Sequence, residues 1–170
     1  MKIALGLRAA ISFAVGIFIT FSQSHSATIG LIALAIFGIG YALLNSVGGA
    51  IWGKGLTSVE SLPLSIVALI VGVAAIFIPS ADTFAQAMAF IYLVAGWGLV
   101  AGAFELYLAR REGFRTRTGK DALINAGLGV VLGSLFLGAP LDIVSAVGFF
   151  GAYLVLSAIH LAIAAATPSK

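Results

Sequence analysis

Cysteine is absent from this chain, which excludes disulfides, thiolate catalysis and Cys-ligated metals. Charge is scarce as well. Asp, Glu, Lys and Arg together make up 9% of the 170 residues, where soluble domains carry roughly 25%. A soluble fold so poor in charge has too little polar surface to cover itself, so the bilayer is the expected solvent for most of the chain. Two histidines and six acidic residues are the whole stock for acid–base or metal chemistry. There is no HExxH, no GxSxG, no phosphate-binding loop, and no aspartate-rich or HxE-type metal motif. The expectation is a protein that is not an enzyme and uses neither cofactor nor metal.

What is present is apolar: 61% of the residues, with a mean hydropathy of +1.16. A membrane span needs about 20 apolar residues. The apolar runs predict helices over 5–22, 27–45, 62–78, 83–109, 122–137 and 141–166. The fold class expected is an all-α membrane protein forming one domain over 1–170. Six transmembrane helices would make three consecutive hairpins, at about 5–45, 62–109 and 121–166. Pro63 suits the first turn of the third helix, where its missing N–H costs little. Asp82 and Asp121 are placed to cap the fourth and fifth helices. Residues 1–27 also have the layout of a signal peptide, with Lys2 and Arg8 before an apolar stretch and small residues at its end. The reading taken is a first helix, with Arg8 snorkelling back to the headgroups.

Five of the nine cations, Arg110, Arg111, Arg115, Arg117 and Lys120, sit in one short stretch between long apolar runs. With six helices, all nine cations fall on one side, and the three opposite turns hold His25, Asp82 and Asp142. The positive-inside rule then assigns both termini and the loops 46–61 and 110–121 to the cytoplasm. A pI near 9.5 invites nucleic acid as a partner, but cations confined to helix ends and one loop serve topology and anionic headgroups instead. The lipid bilayer is the expected partner, with a homo-oligomer or a larger membrane complex left open.

A weak internal repeat runs along the chain. Gly72 and Gly133 each lie seven residues before a proline, Pro79 and Pro140. Tyr92-Leu93-Val94 and Tyr153-Leu154-Val155 each begin thirteen residues after it. Gly16 stands seven before Gln23, so the first hairpin keeps the glycine and lacks the proline. One hairpin used three times gives parallel repeats about an axis along the membrane normal. Three short hairpins with these glycines, the turn prolines and an Arg-rich second inner loop resemble the HdeD-like membrane proteins. The resemblance implies a six-helix protein of a bacterial inner membrane with a link to acid-stress protection. It supplies no catalytic residues. The rival expectation is a small transporter or channel with a pathway between the hairpins, or an accessory subunit.

Several residues are candidates for more than packing. Gly98 with Gly102, and Gly129 with Gly133, are GxxxG pairs that let helix backbones approach. Glu105, an acid one turn inside the fourth helix, is either a functional group or the partner of Arg110 or Arg111. His160 is placed by depth to face Glu105 or Asn125, as a proton-responsive cluster or as a plain interhelical hydrogen bond. His25, Asp82 and Asp142 form either an outer cation- or pH-responsive cluster or ordinary caps and turn residues.

Overall fold

The computed structural model describes residues 2–52, 62–78 and 82–167, so Lys54, Pro79 and Lys170 lie outside it. Six helices are described: α1 Lys2–Phe21, α2 Ala27–Trp52, α3 Leu62–Phe77, α4 Thr83–Glu112, α5 Arg117–Gly138 and α6 Ile143–Ala166. There is no strand among the described residues. Five of the helices are long and apolar enough to cross a membrane. α3 is apolar throughout but has 16 residues, a rise of about 24 Å at 1.5 Å per residue. Large apolar side chains point outward from the bundle, with Phe21 78%, Phe77 73% and Phe84 73% exposed. Such a surface belongs in lipid rather than water.

Several of the expected helix boundaries move by three residues or more at the cation-bearing end. α2 runs on to Trp52, so the first half of the loop expected at 46–61 is helical. The basic stretch is not a long loop either. α4 carries Arg110 and Arg111 in its last turn, where cations meet the negative end of the helix dipole. α5 begins at Arg117 because Thr116, not Asp121, is its cap: the Thr116 hydroxyl accepts from the Gly119 N–H at 3.0 Å. Asp121 lies inside the helix and faces Arg117 at 3.9 Å, one turn away. Gly113, at φ +89°, turns the chain in a conformation that costs glycine least.

At the opposite end of the bundle the caps are Asp82 and Asp142, as the residues suggest, and Ser26. The Asp82 carboxylate accepts from the Ala85 N–H at 3.0 Å, and Ser26 Oγ accepts from the Ile29 N–H at 3.4 Å. His25 is therefore not the counterpart of the two aspartates. Its Nε2 donates instead to the Ile19 carbonyl at 3.0 Å, tying the turn to the end of α1. Asp142 accepts from both the hydroxyl and the N–H of Ser145, at 2.6 and 3.0 Å. These bonds, the hydroxyl first, hold its carboxyl below the ordinary carboxylate value. A depressed folded-state value contributes stability above about pH 4 that is lost as the pH falls through the lower, folded value. Asp142→Asn is therefore expected to melt below wild type at pH 7 and to lose less between about pH 4 and pH 2. Thermal melts across that window check it; parallel curves for the two proteins would sink the assignment.

Helix packing follows three glycine seams. α5 packs on α4, α1 on α6 and α3 on α2, each more extensively than α3 on α4 or α5 on α6. A Cβ added to Gly72 would sit 3.1 Å from the Ala35 carbonyl and 2.8 Å from the Ile39 N. At Gly16 it would meet the Gly151 carbonyl and the Val155 N, both at 3.2 Å. At Gly133 it would meet the Ala95 carbonyl at 2.9 Å and Leu99 Cγ at 2.6 Å. Counted from the cap of the receiving helix, the contacted carbonyl lies nine residues on in two seams (26 to 35, 142 to 151) and thirteen in the third (82 to 95). The third seam is thus the same contact moved by one turn. Its glycines are the two GxxxG pairs: Gly98 would strike the Gly129 carbonyl at 2.7 Å, and Gly102 lies over Val130 N at 2.8 Å.

Candidate functional site

The six helix termini at the cation-bearing end surround a cavity of about 280 Å³, touched by Lys2, Gly48, Leu64, Glu112, Arg117 and Thr167 from α1 to the residue after α6. Successive helices therefore run in alternating directions, and both ends of the described chain lie at this end of the bundle. Lys2, Glu112 and Arg117 are exposed at its rim. The cavity is a vestibule that narrows toward the interior.

Its floor is Arg8 paired with Glu105, Nη2 to Oε1, at 2.6 Å. The side chains are 14% and 7% exposed. Of the two readings open for Glu105, a functional group or a partner of Arg110 or Arg111, the pairing goes to neither of those arginines but to Arg8 of the first helix. Arg8 correspondingly does not snorkel to the headgroups. It turns into the bundle, with its guanidinium carbon 5.1 Å from the centre of the Tyr41 ring. The physical reason is cost. An acid at this depth is expensive alone, and a paired guanidinium that also lies on an aromatic face lowers that cost. Arg110, Arg111, Arg115, Arg117 and Lys120 all stay exposed at the end of the bundle.

Beyond the pair lies a chamber of about 20 Å³, bounded in part by Ser12, Tyr41, Trp97, Asn125, Tyr153 and Ser157. That is enough for one water. Three buried polar atoms, Arg8 Nε, Tyr41 Oη and Asn125 Oδ1, have no hydrogen-bond partner, while Trp97 Nε1 has the Tyr153 hydroxyl beside it. The great majority of buried polar groups in proteins are paired, so three around one chamber suit a bridging water there. Deeper still, rings close the axis. Phe37 stands edge-on to Trp97 at 5.2 Å and to Phe150 at 5.9 Å between centroids, and Phe150 likewise to Phe90 at 5.8 Å. The vestibule is blind.

Comparison with protein-family models, with curated proteins and with solved structures finds no match. The site has to be read from its own chemistry.

Of the residues singled out in the sequence, Glu105 and Asn125 come together, and both border the vestibule and the chamber. His160 does not join them. Its Nε2 donates to the Asp121 carbonyl at 3.1 Å, pinning α6 to the start of α5. His25, Asp82 and Asp142 do not converge, and among the described residues no three His, Cys, Asp or Glu side chains are grouped to hold a metal. Sequence reasoning missed Tyr41, Trp97 and the inward turn of Arg8. It also missed the buried bond from Asn45 to Ser65, 2.8 Å, which joins α2 to α3. Tyr153 carried a signal through the Tyr-Leu-Val repeat, but its counterpart Tyr92 is 62% exposed. The two tyrosines share a sequence pattern and not an environment.

Proposed function

We propose that this chain is a six-helix plasma-membrane protein of three hairpins, with both termini cytoplasmic, that binds a small polar solute in a vestibule open to the cytoplasm. The observation that carries the reading is the pairing of Arg8 with Glu105 at the floor of that vestibule. A charge pair at the end of an open cavity, beside unpartnered polar atoms, is the arrangement expected of a polar binding site. The reading is non-enzymatic, in keeping with a sequence that holds no HExxH, GxSxG or phosphate-binding motif. Beneath the pair the aromatic rings close the far side of the vestibule, which a carrier reading requires of the end not open to solute. The stress protection implied by the HdeD-like resemblance would then act by holding a solute at the bilayer.

The absence of cysteine makes the test direct. Asn125→Cys, at the vestibule floor, is expected to react in intact inverted vesicles with a small, charged, membrane-impermeant thiosulfonate. Ser24→Cys, in an opposite turn, is expected to react only in right-side-out cells. An Asn125→Cys protein that reacts from neither side, while Ser24→Cys reacts as stated, would mean that the vestibule is shut to solutes.

A further inference from the structure

The walls of the vestibule say more about its occupant than its position does. Among the described residues six charged side chains border it: Lys2, Arg8 and Arg117 against Glu105, Glu112 and Asp121. Three cations face three acids. Within that lining a free anion meets as many carboxylates as cations, and so does a free cation, so the charges that would touch the solute select for neither. A molecule carrying both charges satisfies both halves.

The floor fixes how those charges must be spaced. Arg8 uses Nη2 on Glu105, while its Nε, a donor, has no partner. Asn125 Oδ1, an acceptor, has none either. Both residues border the vestibule and the chamber, and the unmet donor and acceptor themselves are buried, reached only when the floor opens to a ligand. Guanidinium binds carboxylate through two parallel N–H groups, a geometry that a point cation cannot supply. An ammonium needs acceptors, which Asn125 Oδ1 and the Glu105 carboxylate provide. Leu64, Phe104, Leu108 and Leu161 supply apolar wall in the space above.

We propose that the vestibule binds a small zwitterion of the α-amino acid class, its carboxylate on Arg8 and its ammonium on Asn125 and Glu105, with the side chain lying in the upper cavity. This rests on the solute-binding reading and adds the ligand class. The Arg8–Glu105 pair then serves as an internal surrogate for the ligand, each partner occupying the other until a molecule bearing both charges arrives. That exchange keeps the net charge of the buried floor unchanged, which lowers the cost of loading a charged solute into a low-dielectric site.

The test uses the whole protein in detergent micelles. Thermal stability is measured against glycine, leucine, acetate and methylammonium, because a ligand that binds the folded state raises the melting temperature with concentration. Glycine and leucine are expected to give saturable upward shifts, and acetate and methylammonium none at equal concentration. Asn125→Ala, which leaves the ion pair intact, is expected to melt like wild type and to need about tenfold more glycine for the same shift. If acetate or methylammonium alone matches glycine, the zwitterion assignment is overturned and the vestibule still binds solute. If no compound shifts the protein while Asn125→Cys reacts from the cytoplasmic side, the ligand class is wrong and the open vestibule stands. If no compound shifts it and Asn125→Cys is inert, both fail together.

Discussion

Glu105→Gln is expected to lower the stability of the folded protein by about 3–5 kcal/mol, the cost of leaving one partner of a buried pair uncompensated. The substitution keeps shape and hydrogen-bonding capacity, so it removes little but the charge. Arg8 is then left in the interior, 14% exposed, with a neutral amide and the Tyr41 ring in place of a counter-charge. Arg8→Met is expected to cost as much, because it strands the carboxylate. The double variant Arg8→Met with Glu105→Leu is expected to recover most of the loss, since a buried pair is often worth no more than apolar side chains of similar volume. It is expected to recover none of the glycine response. Thermal melts of Arg8→Met, Glu105→Leu and their combination make a double-mutant cycle whose coupling measures the pair. Single variants that melt within a degree or two of wild type would mean that water reaches the pair freely.

This pair was half legible in the sequence. Glu105 stands out because an isolated acid in an apolar run needs an explanation, and the positions of the GxxxG glycines are readable for the same reason. Arg8 was assigned to topology because counting cations by side says nothing about which face of a helix they occupy. α1 is apolar nearly all round, so its sequence does not announce that one face meets α6 and α2 while the other meets lipid. The capping errors have a similar origin. Thr116 and Asp121, like Ser26 and His25, are neighbours competent to end or turn a helix, and the choice between them is made by where the flanking helices must meet. His160 and Asp121 lie 39 residues apart, and no local pattern links them.

The charge pair and the vestibule depend on how closely the helices approach, which makes the glycine seams the second place where one atom has a large effect. A Cβ built on Gly38 would lie 2.5 Å from the Ala68 carbonyl oxygen and 2.8 Å from both the N and the Cα of Gly72. Every one of those atoms is backbone, so no side chain can rotate away and the helices themselves must separate. Gly38→Ala is expected to cost about 3 kcal/mol, the upper part of the range for overpacking a close contact. In lipid no hydrophobic drive between helices offsets the lost contact. Gly127→Ala supplies the control. It is exposed on α5 with nothing within 4 Å of its Cβ, and there alanine is expected to gain roughly 0.5–1 kcal/mol by helix propensity alone. The same chemical change thus carries opposite signs at two helical glycines. Adding Gly72→Ala to Gly38→Ala is expected to cost less than the sum of the singles, because both open one seam. Melting curves in detergent read all four variants. A Gly38→Ala protein as stable as Gly127→Ala would mean that α2 and α3 do not meet at this glycine, and the pairing of α3 with α2 would have to be abandoned.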